Sequence, residues 1–406
     1  MNPSRAISGD DLWVTLRLFV IAPSALLTDH RPHGDGLVAC GFIRELAARG
    51  HELDVAAQRV DLAGALPSSV RLHVLSANEG AGLGARLAFM REVRRLYRRL
   101  QRSSTFDVVH QLNPVEVGVS LALADAAVPV VLGPYLPDWP RAPTRARALF
   151  DLASNGAKRA LRAAQQRRAS TVLLSTPAAA SKIAVSTSGQ LSVQELTPGI
   201  DEQRWTPGRG GRGQDVLVLA NLEARKGVSV AVEAFARMGA DLPQARLIVA
   251  GAGSEASSIS RLAEKVVPDE RVRFVGAVAR ERVKEVMQAC DVFCLPSFGE
   301  PFGMTVLEAM ACARPVVATD AGGPRYLVSQ GGGRKVPPGD PRALAAALRE
   351  LLLDAQLRRS MGEHNRRLVE ERYAWRPVVD RLEHLYREAI RAPRATPPCG
   401  VARRNS

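Results

Sequence analysis

Runs of aliphatic and β-branched residues alternate with segments of helical periodicity along almost the whole chain, the pattern of parallel sheets covered by helices on both faces. In the first half the apolar runs predict strands over 16–22, 52–57, 70–75, 108–110, 128–132 and 171–174. A Pro-, Gly- and Arg-rich stretch over 206–214 reads as a linker. A second series follows, with strands over 216–220, 246–250, 272–275, 292–295 and 315–318 and a further helix over 341–352. Each series is long enough for one Rossmann-like unit. Over 373–390 the apolar positions Trp375, Val378, Val379, Leu382, Leu385 and Tyr386 mark an amphipathic helix that needs a partner surface. The pattern predicts an α/β chain of two Rossmann-like domains, over 1–205 and 206–372. A terminal helix over 373–390 and a disordered polar tail over 391–406 complete it.

Length and composition agree with that division. The chain has 406 residues, 46% hydrophobic and 24% charged, enough apolar surface for two cores of ordinary size. The apolar stretch 12–22 contains Arg17 and follows Asp10 and Asp11, so it reads as a first buried strand rather than a leader. No apolar run approaches the roughly 20 residues that span a bilayer, so the expected location is the cytoplasm, or the inner face of the cytoplasmic membrane as a peripheral protein. Cys40, Cys290, Cys294, Cys312 and Cys399 lack metal-ligand spacing and mostly sit in apolar segments, as reduced, buried side chains do.

The formal charge of +14 is concentrated in the first half. Residues 86–102 carry seven arginines against Glu92, and residues 141–168 carry eight Lys/Arg against Asp151. In the first segment Phe89, Val93, Leu96, Tyr97 and Leu100 recur at helical spacing, leaving an arginine-rich opposite face. That face is either a solvated surface or a seat for an anionic membrane or an acidic acceptor. Nucleic acid is not an expected partner, because no zinc-finger spacing or aromatic-studded single-strand motif accompanies the arginines.

The densest chemistry lies in Phe298-Gly299-Glu300-Pro301-Phe302-Gly303-Met304-Thr305-Val306-Leu307-Glu308, just after the run ending at Leu295. Two glutamates eight positions apart flank a strand-to-helix junction. Gly303 lets the backbone turn, Thr305 can cap, and the first amides of the helix point at any anion at the strand's carboxyl end. Glu300 can accept hydrogen bonds from sugar hydroxyls, and Glu308 can take a ribose diol with both oxygens.

This segment, with Pro315-Val316-Val317-Ala318-Thr319 and Gly322-Gly323 after it, resembles the retaining glycosyltransferases of the GT-B fold, family 4, the group 1 glycosyltransferases. The resemblance is close over 197–390 and looser before that. It implies two Rossmann-like domains facing across a cleft, with the terminal helix crossing back to the first. Glu300 then inherits the contact to the donor sugar and Glu308 that to the ribose. Lys226, in Ala220-Asn221-Leu222-Glu223-Ala224-Arg225-Lys226-Gly227, matches a lysine that grips the donor diphosphate; Asn221 stands where the family carries an arginine, and Arg225 is the nearest substitute. Gly251-Ala252-Gly253 resembles a bend lining the nucleotide cleft, and Gly276-Ala277-Val278 the segment whose backbone holds the base. Phe302, Gly303, Met304 and Thr305 supply the diphosphate seat.

In the first half, Gly34-Asp35-Gly36 after His33 resembles a loop that approaches the donor phosphates, and Arg49-Gly50-His51 matches the end of the family's following helix. His110, in Val109-His110-Gln111-Leu112-Asn113, is a candidate active-site histidine at a strand end, although many relatives carry theirs where Leu112 stands. The implied reaction moves a hexose-type sugar from a nucleoside diphosphate sugar, UDP or GDP being the expected nucleotide, to a glycan or lipid-linked acceptor in envelope or exopolysaccharide synthesis. Lys226 and Arg225 would neutralise the leaving diphosphate, and its own oxygen would take the acceptor's proton. No cofactor is expected, and with no Asp-x-Asp to hold a divalent ion, no metal. Two other readings stay open: a nucleotide-sugar epimerase or hydrolase on the same fold, and a catalytically inactive scaffold at a membrane surface.

Overall fold

A computed structural model of the protein describes residues 15–22, 26–31, 34–75, 83–113, 117–139, 148–186, 191–238, 242–267 and 271–392. The start of the first apolar run, His33, the segment 140–147 and the tail from 393 to 406 lie outside the described residues. In chain order the first half contains β1 (Arg17–Ala22), β2 (Leu27–Thr28), α1 (Gly34–Ala48), β3 (Glu52–Ala57), β4 (Val60–Asp61), β5 (Val70–Val74), α2 (Leu83–Gln101), β6 (Val108–Leu112), β7 (Val130–Tyr135), α3 (Ala148–Gln166), β8 (Thr171–Leu174) and β9 (Ser192–Glu195). The second contains β10 (Asp215–Leu219), α4 (Val228–Arg237), β11 (Arg246–Ala250), α5 (Ala256–Val266), β12 (Val272–Gly276), α6 (Val283–Ala289), β13 (Val292–Leu295), α7 (Met304–Ala311), β14 (Val316–Thr319), α8 (Pro324–Leu327), β15 (Gly333–Val336), α9 (Pro341–Leu353), α10 (Ala355–Leu368) and α11 (Trp375–Arg391).

Two parallel sheets carry the molecule, in the orders β5-β3-β1-β6-β7-β8-β9 and β12-β11-β10-β13-β14-β15. In both, the first strand lies inside the sheet and the chain winds outward in both directions from it, which is the doubly wound arrangement. β1 reads Arg-Leu-Phe-Val-Ile-Ala with every residue after Arg17 buried, because apolar layers cover both faces. On the first sheet those layers are built around Phe42 and Leu46 of α1 on one side and Phe89 and Val93 of α2 on the other. On the second they centre on Phe235 and Leu348, and on Phe293 and Leu307.

The periodicity misses β9 and β15, whose residues Ser-Val-Gln-Glu and Gly-Arg-Lys-Val form sheet edges with one flank open to water and no continuous apolar run. It places β7 two residues early, since Val128 precedes the ladder that runs on to Tyr135. The arginine face of α2 is partly neutralised: Arg94 and Arg98 both reach Asp125, at 2.9 and 2.7 Å, and Arg95 reaches Glu92.

α11 follows the second domain in sequence and packs in the core of the first. Val378, Val379, Leu382, Leu385, Tyr386 and Ala389 join the layer of α1. Burying its larger side chains is worth on the order of 10 kcal/mol as an upper figure, enough to hold a helix of this length in place. The Arg49-Gly50-His51 match has its explanation here. The Arg49 guanidinium pairs with Asp380 and donates to the Arg376 carbonyl at 2.8 Å, and the His51 ring lies 3.0 Å from Glu383. The motif is an anchor for α11.

At the crossing, the chain's two passages lie against each other. Ile200 N donates to the Tyr373 carbonyl at 2.8 Å, and Trp375 N to that of Ile200 at 3.2 Å. The Trp375 indole packs so closely on two backbones that a Cβ added at Gly41 or Gly199 would come within 2.1 or 2.3 Å of it. Arg366 of α10 adds a brace, donating to the carbonyls of Glu202, Trp205 and Ala311 and so tying the linker to the end of α7.

Tyr386 gives this anchoring a measurable handle. Its hydroxyl lies 2.5 Å from His110 Nδ1, and His110 Nε2 lies 3.0 Å from the Gly133 carbonyl, with both side chains fully buried. A carbonyl only accepts, so Nε2 carries the proton and Nδ1 accepts from the tyrosine. Burial pushes the His110 pKa down to about 4. Tyr386→Phe should therefore cost about 1–3 kcal/mol in urea unfolding, the penalty for a buried acceptor left alone. A second outcome follows from the sign of the shift. Below the ordinary histidine value of 6.5 the unfolded chain gains a proton that the folded chain refuses until about 4, so stability falls across that window by up to about 1.4 kcal/mol per pH unit. His110→Gln should remove that part of the slope.

Candidate active site in the interdomain cleft

β10 lies at the centre of its sheet, paired with β11 on one side and β13 on the other, so the loops leaving β10 and β13 meet at the switch point. The loop after β10 carries Asn221, Arg225 and Lys226, and the loop after β13 carries Glu300. The two are pressed together: Phe298 N donates to the Arg225 carbonyl at 3.0 Å, and a Cβ on Gly227, at φ +62°, would stand 2.2 Å from the Pro296 carbonyl oxygen. This contact brings Lys226 Nζ within 2.7 Å of Glu300 Oε2, with side chains only 12% and 15% exposed.

The opposite wall comes from the first domain. Trp139, beyond the end of β7, lays its ring over this cationic pair, 3.8 Å from Arg225 Cζ and 4.6 Å from Lys226 Nζ. Arg225 is also held by Glu223 at 2.5 Å. Asp35 lines a cavity between the domains together with Trp139 and Pro301, the residue after Glu300. The Gly34-Asp35-Gly36 segment is not a loop but the first turn of α1, and the Asp35 carbonyl accepts from Asn113 Nδ2 at 2.9 Å.

The start of α7 adjoins Glu300. Gly303 is its N-cap residue at φ +98°, and no side chain caps it, so Thr305 does not play the expected capping part. The amides of Met304 and Thr305 are therefore free of intrahelical partners, as first-turn amides are. Glu308 sits one turn on and is 2% exposed. One of its oxygens is held by the Arg280 guanidinium, which stacks 5.0 Å from the Trp205 ring, and the other has no hydrogen-bond partner. The expectation that both oxygens are free for a diol is corrected to one. Burial pushes the Glu308 carboxyl up, while Arg280 opposes that.

The other expected residues differ in how far packing encloses them. His110 is corrected: it is sealed between Tyr386 and Gly133, with no exposed surface to offer a substrate. Gly253 packs its backbone on the loop after β10, where a Cβ would lie 2.4 Å from the Leu222 carbonyl oxygen, which itself accepts from Glu255 N. Phe302 is buried, and Val278 half-buried, against the core of α7. Asn221 is exposed at the end of β10. Trp139 and Arg280 were missed; Trp139 stands between two prolines just past an apolar strand end, which is the one signal in the sequence that could have found it.

Comparison with known proteins matches each half of the chain to a family model. A family model described as "Glycosyl transferase 4-like domain" matches residues 34–187, and one described as "Glycosyl transferases group 1" matches residues 199–368. D-inositol 3-phosphate glycosyltransferase of Corynebacterium jeikeium is 33% identical over 218 residues, covering 48% of this chain and 52% of that protein. N-acetyl-alpha-D-glucosaminyl L-malate synthase of Bacillus anthracis is 32% identical over 177 residues, covering 43% and 46%. The chain thus spans about half the length of the curated relatives it matches. Sucrose-phosphate synthase from Thermosynechococcus elongatus shares the fold at a TM-score of 0.74 and 22% identity, over 92% of this chain and 98% of that one. Anabaena HepE, solved with UDP, shares it at 0.69 and 19%, over 92% and 100%.

The glycines of the cleft can be told apart by experiment. Gly322, at φ +60°, presses on the Glu300 loop so closely that a Cβ would lie 2.1 Å from the Glu300 carbonyl oxygen, whereas a Cβ on Gly34 meets nothing within 4 Å. Gly322→Ala should destabilise by about 1–3 kcal/mol and Gly34→Ala by less than about 0.5 kcal/mol, read as melting temperatures. With the two sheets, the loops that meet at their switch point and the two family models spanning both halves, the chain belongs to the group 1 glycosyltransferases and has the GT-B fold.

Proposed function

We propose that this protein is a retaining glycosyltransferase that moves a hexose-type sugar from a nucleoside diphosphate sugar to a glycan or lipid-linked acceptor, in cell-envelope or exopolysaccharide synthesis. The observation that carries the reading is the Lys226–Glu300 pair at 2.7 Å beside the uncapped start of α7. Lys226 contacts Glu300, the amides of Met304 and Thr305 follow Glu300 in the chain, and a diphosphate is the anion that needs both a cation and several donors. Once Lys226 turns to the phosphate, Glu300 is left to accept hydrogen bonds from sugar hydroxyls. The partnerless oxygen of Glu308, buried behind α7, is the acceptor we assign to a ribose hydroxyl.

Transfer with retention then depends on charge placement. The lysine and the helix amides stabilise the leaving diphosphate as the glycosidic bond breaks, and a leaving-group oxygen receives the acceptor's proton on the same face. With this cationic seat the diphosphate needs no metal ion. The relatives' names support glycosyl transfer, and HepE, which is also solved with UDP-glucose, makes UDP the first nucleotide to try. Among the described residues no helix is long and apolar enough to cross a membrane, and we assign a peripheral position on an anionic inner face to the basic surface of α2.

UDP should raise the melting temperature of the purified protein more than GDP or ADP, and Glu308→Ala should abolish that shift. Absence of any nucleotide-induced shift would sink the reading. Lys226→Ala should lower kcat by roughly 10²–10³-fold, the usual loss when one preorganised donor to a leaving group is removed. Turnover should be unchanged by EDTA. Release of free sugar from donor alone, with no acceptor dependence, would mark a hydrolase instead.

A further inference from the structure

The cavity that begins at Asp35, Trp139 and Pro301 runs on into the first domain and has a volume of about 700 Å³. Among the described residues its walls bring together the cationic side chains of Arg86, Lys158, Arg159, Arg162 and Lys182 and the carboxylates of Asp35 and Asp138. Lys182 is paired with Asp138 across the rim. Lys158, Arg159 and Arg162 have no ion-pair partner among the described residues, and Arg162 Nε is buried without a hydrogen-bond partner. Lys158 and Arg162 are one turn apart on α3, a spacing at which like charges repel.

Crowding of unpaired cations around a concave volume is costly unless an anion comes to sit among them. Arginine forks match phosphate oxygens in bidentate fashion, and a lysine adds a point charge. The volume falls within the range of about 300–1,000 Å³ typical of small-molecule sites, large enough for a phosphorylated monosaccharide or polyol. Pro301, adjacent to Glu300, lines the same cavity as these cations. An acceptor bound here would therefore present a hydroxyl at the donor sugar and its phosphate to the arginines.

We propose that this cavity is an acceptor site that recognises a phosphate group, carried by a sugar or polyol as a phosphate monoester or diester. The proposal rests on the glycosyltransferase reading for the name "acceptor", while the phosphate site itself stands on the cavity. A soluble sugar phosphate and a lipid headgroup both carry this chemistry, and the test separates the two.

The full-length protein would be titrated calorimetrically with glucose 6-phosphate and with glucose, and by co-sedimentation with phosphatidylcholine vesicles with and without phosphatidylglycerol. Glucose 6-phosphate, but not glucose, should bind, or else the phosphatidylglycerol vesicles alone should; the first outcome identifies a soluble source and the second a lipid one. Arg162→Gln should weaken that binding about tenfold, the loss of one charge-assisted bond. The Lys158→Gln/Arg159→Gln double variant changes only exposed side chains, so it keeps the fold and should weaken binding as well. The UDP-induced melting shift should persist in both variants. Binding of neither phosphate probe, or binding that both variants leave intact, overturns the proposal. If phosphate binding behaves as expected while UDP gives no shift in the wild type, the phosphate site stands and the glycosyltransferase reading falls.

Discussion

Everything in the cleft depends on α11 being buried in the domain that the chain has already left. The first sheet ends with Glu195, yet its apolar layer is incomplete until Val379, Leu382 and Tyr386 arrive from the far end of the sequence. The chain therefore crosses between domains twice, at Ile200 and at Ala374, and the two crossings are bonded to each other. Trp375 fills the corner between them against two glycine backbones. Two adjacent crossings fix one edge of the cleft, and Trp139 reaches across it at another. The contact of Trp139 with Arg225 and Lys226 belongs to that other edge: a cation–π contact that a ligand's phosphates can replace.

Around the loops after β10 and β13, charge is compensated before any ligand arrives. Lys226 has Glu300, Arg225 has Glu223, and Glu308 has Arg280. Such pairs avoid the cost of an isolated half-buried charge, and each has one member that is free to turn toward a ligand of opposite sign. They hold their geometry because the backbones beneath them touch. Gly227 against Pro296, Gly322 against Glu300 and Gly323 against Phe302 leave no space for a side chain, so the loops are fixed to one another rather than to solvent. Preorganisation here comes from backbone contact and not from a dense network of side chains.

Sequence determined a good deal of this protein. The alternation of apolar runs and helical stretches set the α/β class and two Rossmann-like units, because a strand buried on both faces must be continuously apolar. The segment from Phe298 to Glu308 marked a turn from strand to helix at the carboxyl end of the second sheet, since a strand, a glycine turn and a helix start in succession have one geometry. The apolar stripe of 373–390 announced a helix in need of a surface. What the sequence left open was which residues meet. Arg49-Gly50-His51 and His110 look alike in sequence whether they serve a substrate or α11, and only packing assigned them to the helix. Trp139 carries no periodic signal, and its partners lie in the other domain. The glutamates of the motif gained their different environments from packing: Glu300 partly exposed beside a lysine, Glu308 enclosed with one oxygen spent on an arginine. Local pattern is written in neighbours along the chain, whereas contacts between distant segments, and the charge environment they create, exist only once both sheets and the returning helix are in place.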